Sequence, residues 1–185
     1  FGDPAACSVT MKVAAVNATD MNSSGRSHEV TGSIQDLSAA TGTFTLVAGS
    51  VSLTVDYSGI NPALQKNIDT LLLTAQTESL PVIVQTGDIA IETGTIAANR
   101  IFVKVAGTVS DIEDEPEWEF DLTYQSTKTI EGSHKSPAVI EGVFVNGAWV
   151  NVRFDGYDAA NSEFLAASVE VLPAADVFRR GIIKG

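Results

Sequence analysis

Seven carboxylates fall within eleven residues: Asp111, Glu113, Asp114, Glu115, Glu117, Glu119 and Asp121, with no Lys or Arg among them. Calcium takes hard oxygen ligands of this kind, and a loop that reverses at Pro116 brings several of them toward one point. Asp111, Glu113, Asp114, Glu115 and Glu117 are therefore the candidate metal ligands, with calcium as the cofactor they would hold. The spacing is not that of an EF-hand, because no glycine occupies the sharp turn and the twelve-residue ligand pattern is absent. The competing expectation is a solvated loop and strand face whose charge keeps sheet edges apart. The segment carries −7 of a formal charge of −12, which comes from 23 acidic and 11 basic residues. The rest of the chain is thus close to neutral.

Other chemistry is sparse. Asp155-Gly156-Tyr157-Asp158 is a second oxygen-rich stretch, expected to be a β-turn that uses Asp and Gly for their backbone preferences. His28 and His134 each lack a second His or a Cys at ligand spacing, so zinc is not expected. No Gly-x-Ser-x-Gly elbow, phosphate loop or dinucleotide glycine motif is present, and no catalytic residue is assigned. The reading is that the chain is not an enzyme. Trp149, flanked by Ala148 and Val150 beside a turn, is the candidate ligand-binding residue, as a stacking platform for a sugar. Trp118 lies on the apolar side of a regular strand and is expected in the core.

Composition narrows the class. With 44% hydrophobic and 18% charged residues, the chain has the apolar mass to fold. It has no apolar run long enough to span a membrane as a helix. Its acidity argues against nucleic acid, since a polyanion is bound by clustered Lys and Arg. A single cysteine, Cys7, excludes an intrachain disulfide. Lipidated, free and paired with another chain all stay open for it. Ala5-Ala6-Cys7 is near a lipoprotein cleavage motif, but Pro4 sits where that motif wants a large aliphatic residue. Phe1-Gly2-Asp3-Pro4 lacks the basic and apolar regions of a signal peptide, as a chain matured by its removal also would. The sequons at Asn17 and Asn22 matter only in a glycosylating pathway and otherwise read as turn residues.

Elements must position these residues, and alternation of apolar and polar positions dominates the chain. Val9, Met11 and Val13 share one face of a first strand, followed by a loop over 17–27. Strands are expected at 30–34, 43–47 and 51–55, with a hairpin turn at Ala48-Gly49. Asn61-Pro62 supplies an N-cap and a first-turn proline, and Leu64, Ile68, Leu71, Leu72 and Ala75 follow at helical spacing. One covering helix over about 61–77 is expected. Strands resume at 81–84, 89–91 and 101–109, then at 118–124, where Trp118, Phe120, Leu122 and Tyr124 share a face. Residues 127–136 read as an exposed loop. Strands at 138–145 and 148–154 flank Asn146-Gly147, a strong hairpin signal, and the last strand is expected at 163–172. The fold class is mainly β: a barrel or sandwich of about ten antiparallel strands in one domain over 1–185.

Val30-Thr31-Gly32-Ser33-Ile34 and Ala40-Thr41-Gly42-Thr43-Phe44-Thr45-Leu46 echo Ile140-Glu141-Gly142-Val143-Phe144 and Ala160-Asn161-Ser162-Glu163-Phe164-Leu165, an internal repeat of 30–60 with 138–173. With the closing runs 147–152 and 165–171, these segments resemble small β-barrel domains of unknown function found in bacterial secreted proteins and lipoproteins. The resemblance implies a barrel-like fold and an envelope location, and it carries no catalytic residues. The helix and the acidic segment depart from it.

The functional expectation is a non-enzymatic extracellular or cell-surface structural subunit that self-associates into a homo-oligomer or polymer. Val9, Met11 and Val13 at one end, with Val177, Phe178, Ile182 and Ile183 at the other, are the candidate assembly residues. The alternative is a calcium- or carbohydrate-binding module of a larger envelope protein.

Overall fold

A computed structural model describes residues 28–87, 94–113, 118–125, 128–134 and 139–173. The described chain is mainly β, with one helix among the described residues, as the alternation predicts. The strands are β1 (His28–Ser38), β2 (Thr43–Ala48), β3 (Val51–Asp56), β4 (Val82–Thr86), β5 (Thr95–Ala97), β6 (Arg100–Glu113), β7 (Trp118–Tyr124), β8 (Lys128–His134), β9 (Val139–Glu141), β10 (Trp149–Asp158) and β11 (Glu163–Val171). The helix α1 spans Ile68–Thr77. Among the described residues the sheet path runs from β10 to β5, and those two end strands do not pair with each other.

Packing divides the described residues into two compact units. One holds residues up to Gln65 together with Leu72–Val103. The other holds Lys66–Leu71 together with residues from Lys104 onward. In the first, β1, β2 and β3 form an antiparallel meander, and β3 pairs in parallel with β5. The chain then passes through Ala98 and Asn99, whose N–H groups donate to Asp56 and Gln85 carbonyls at 2.8 Å each, into the start of β6. That start pairs antiparallel with β4, and β4 pairs antiparallel with β1. The strand path therefore returns to where it began. In the second unit, β6, β7 and β8 form the meander, β8 pairs in parallel with β11, β11 pairs antiparallel with β10, and β10 pairs with β6. The connectivity is the same. Parallel pairs, which the expectation of antiparallel strands did not include, arise because the third and fifth strands of each circuit are joined by a long crossover.

Each circuit is filled by its inward-facing residues. Phe44, Leu46, Val55, Val84, Ile96 and Ile101 are buried in the first unit, and Phe120, Leu122, Val152, Phe154, Phe164 and Val169 in the second. Edge-on aromatic pairs join Phe154 and Tyr157 to Phe164 and Phe120 to Phe144. Full burial of such side chains contributes about 1.5–3 kcal/mol each, which makes these layers the main source of stability.

The helix starts later than its sequence signal. Asn61 does act as a cap, its Oδ1 accepting from Ala63 N at 2.9 Å, but only a turn follows. Asn67, at φ 49°, breaks the helical path, and α1 begins after it. The break also rotates the apolar stripe: Leu64 is 68% exposed, while Gln65 is buried. Gln65 Nε2 donates to Ile101 O, and its Oε1 accepts from Ile101 N at 2.8 Å. A buried amide held at both ends meets the requirement that buried polar groups be paired. Leu71, Leu72 and Ala75 are buried as expected.

Three local expectations are corrected. Residues 128–134 form β8, not a loop, because the second circuit needs its third strand there. Asn146-Gly147 is not a β-hairpin turn: β9 pairs with β11 rather than β10, and both turn residues bond to β6. Asp155–Asp158 lies within β10 rather than in a turn. The expected strands at 8–13 and 89–91 fall outside the described residues.

Candidate functional site

The acidic segment is built on the first hairpin of the second unit. β6 and β7 pair as Thr108↔Thr123, Val109↔Leu122 and Ser110↔Asp121, and resume at Glu113↔Glu119 after a register shift. Asp111 sits at that bulge with φ 50°, a left-handed conformation that Asp adopts more readily than most residues. Bulges bend a strand and re-aim its side chains. Asp111 and Glu113 are exposed, whereas Glu119 and Asp121 are half-buried. Together with Phe120 they line an open recess of about 190 Å³. Glu113 and Glu119 stand directly opposite on neighbouring strands, where like charges destabilise. Asp114, Glu115 and Glu117 lie outside the described residues. Among the described residues, no group of three or more His, Cys, Asp or Glu side chains converges at metal-binding spacing.

The loop before β10 is tied to the base of this hairpin. Gly147 N donates to Val109 O at 2.8 Å, Val109 N donates to Ala148 O at 3.0 Å, and Ile112 N donates to Asn146 Oδ1 at 3.1 Å. The loop carries apolar side chains into solvent: Val143 is 75% exposed, Val145 52% and Trp149 38%. Trp149 is thus accessible at the start of β10, as a ligand platform needs to be. Phe144, between the two valines, packs instead on Phe120 with ring centroids 5.3 Å apart.

Comparison of the chain with protein-family models, with curated proteins and with solved structures yields no match.

Two arrangements that the sequence did not suggest lie in the same unit. Asp158 is buried, its Oδ2 accepting from Lys66 Nζ at 3.0 Å and its Oδ1 from Ala160 N at 2.9 Å. Asn67 Nδ2 donates to Tyr157 O at 2.8 Å, and Tyr157 N donates to Lys66 O at 2.9 Å. These bonds clamp residues 66–67 onto the end of β10. Glu163, opposite Asp158 in the register, is also buried, and its Oε2 has no hydrogen-bond partner among the described residues. The second arrangement is a recess of about 190 Å³ lined by Glu141, Arg153, Ser168, Val169 and Glu170. Neither is legible locally, since Lys66 and Asp158 are 92 residues apart.

Asp56 departs clearly from its ordinary behaviour. Ser58 donates both its hydroxyl, at 2.7 Å, and its backbone N–H, at 2.9 Å, to Asp56 Oδ1. Those bonds hold the Asp56 carboxyl below the usual carboxylate range. The candidate assembly residues Val9, Met11, Val13, Val177, Phe178, Ile182 and Ile183 all lie outside the described residues.

Proposed function

We propose that this chain is a non-enzymatic structural or assembly subunit of the cell exterior, self-associating as a homo-oligomer or polymer. The observation that carries the reading is the filled interior of both units. Fully buried Phe44 and Leu46 in one, and Phe120 and Phe154 in the other, occupy the space in which a larger β-barrel holds a ligand. Recognition is therefore left to outer faces and chain ends. Strand pairing or face packing between copies then runs through the apolar runs Val9–Val13 and Val177–Ile183. The resemblance to bacterial secreted β domains supports the location. Negative-stain microscopy and light scattering of the full chain test it, with truncations of residues 1–27 and 174–185 as partners. Multimers that the truncations dissolve are expected, and a strictly monomeric chain at high concentration contradicts the proposal.

A second reading is favoured by the recess at Asp111, Glu113, Glu119 and Asp121. Carboxylates clustered on neighbouring strands suit a hard cation such as calcium, in a module of a larger envelope protein. Chelation then lowers the melting temperature. Combined D111N, D114N and E117Q substitutions abolish that effect. Carbohydrate binding lost on Trp149→Ala would select the sugar-binding form of this reading.

A further inference from the structure

We infer that the loop Val143–Trp149 and the acidic hairpin beside it form a docking surface for this chain's own C-terminal run, residues 177–184. The surface is amphipathic. Val143, Val145 and Trp149 present apolar area, and the bonds from Val109 and Ile112 to residues 146–148 bring Asp111 and Glu113 next to it. The run matches that pattern: Val177, Phe178, Ile182 and Ile183 alternate with Arg179, Arg180 and Lys184, and only Asp176 opposes them. Like the surface, it combines both characters, and the charges are opposite in sign.

Chain direction selects the occupant. β11 runs antiparallel to β10, so the chain beyond Val171 heads toward residues that precede Trp149. Leu172 N donates to Trp149 O at 2.8 Å, which sets the exit point at the edge of the patch. Leu172 precedes a proline, which disfavours a helical turn there and keeps the chain extended. From Pro173, four residues reach about 14 Å at 3.3–3.6 Å each, enough to place Val177 over the loop. Attachment so close to the surface gives an effective concentration of roughly millimolar, which favours the chain's own run over that of a second copy. Only the regulatory consequence rests on the assembly reading: a run held this way is withheld from a neighbour until it is released.

Trp149 reports on the contact once Trp118 is replaced by Phe. In the full chain at micromolar dilution, acrylamide quenching of Trp149 should be about twofold weaker than in a chain lacking residues 174–185, because the aromatic ring is covered. The R179E, R180E and K184E triple variant, which keeps all the apolar residues, should raise quenching to the truncated level. A synthetic peptide of residues 174–185 should restore protection to the truncated chain. Equal quenching of full and truncated chains overturns the inference. Protection that grows with protein concentration overturns it too, because the occupant is then a second copy. The first result does not depend on whether the chain forms multimers and the second favours multimers, so failure here is distinguishable from failure of the assembly proposal.

Discussion

The two units repeat one another at the positions where backbone leaves no choice, and they differ where solvent is the neighbour. Gly32 of β1 and Gly107 of β6 are equivalent. A Cβ on either would lie within 3.0 Å of a carbonyl oxygen on the next strand, Val47 O or Thr123 O, beside Leu46 or Leu122. Four residues on, Asp36 and Asp111 occupy the same bulge at φ 49° and 50°. Phe44 and Phe120 fill the same interior position. Gly94 and Ser162 precede the last strands at φ 65° and 64°. By contrast, the pair that closes the first hairpin is Ser38↔Thr43 in one unit and Glu113↔Glu119 in the other. In the first, Thr41 Oγ1 hydrogen-bonds with both hydroxyls, at 2.8 and 2.7 Å. In the second, two carboxylates face each other. The circuit constrains its interior and its bulges, and leaves the hairpin tip free to specialise.

Substitutions at paired positions can break this equivalence. Phe44→Ala and Phe120→Ala should each cost about 3–5 kcal/mol in urea unfolding, as deletion of a buried aromatic does. A difference of more than about 2 kcal/mol between them would contradict equivalent packing. Gly32→Ala and Gly107→Ala should follow at about 2–4 kcal/mol, since backbone rather than a flexible side chain must give way. Gly107 should be the more sensitive, its carbonyl neighbour being nearer. If both variants melt like the parent chain, the tight approach is not a constraint.

Surface exchanges sharpen the contrast. Replacing Glu113 by Ser and Glu119 by Thr transplants the neutral hairpin pair. It should stabilise the chain by roughly 0.5–1 kcal/mol at low salt, the scale of a like-charge cross-strand pair. The gain should shrink as salt screens the repulsion. A loss of stability would instead show that the other interactions of this pair outweigh its repulsion. The smallest effect concerns Asp56, which has no counterpart in the second unit, where Ser133 takes its register position. Its depressed pKa stabilises the folded state above the unfolded carboxylate pKa of about 3.9, and that contribution disappears as pH falls through the folded value. Ser58→Ala removes the hydroxyl bond and keeps the backbone one, so the Asp56 titration, followed by NMR, should move up part of the way toward the ordinary carboxylate range. An unmoved titration rules out the Ser58 hydroxyl bond as the cause.

What the sequence disclosed follows from the range of each interaction. Alternation in Thr43-Phe44-Thr45-Leu46 or Phe120-Asp121-Leu122 is set by adjacent residues, so these strands and the turn at Gly49 were legible. The helix starts later than Asn61-Pro62 signals because that signal is local, whereas the break at Asn67 is tied to a bond with residue 157. Strand circuits depend on pairings such as Val55↔Ile96 and Phe164↔Gly132, which no window of alternation contains. The repeat read from hairpin motifs matched 30–60 with 138–173. Pairing registers give a different equivalence, Gly32-Ser33-Ile34-Gln35-Asp36-Leu37 with Gly107-Thr108-Val109-Ser110-Asp111-Ile112, and Val82–Val84 with Val150–Val152. The carboxylate cluster is visible in the spacing of residues 111–121, but the bulge that aims Asp111 and the loop docked beside it are not. Asn146 shows why: its Asn-Gly signal specifies a turn, and nothing local specifies that its side chain meets Ile112.

Filled interiors and active exteriors are the centre of this account, and sedimentation of the full chain tests it most directly. Over a rising concentration series, species at multiples of the 19.4 kDa chain mass are expected. A single species of 19.4 kDa at every concentration would contradict a subunit that works by self-association.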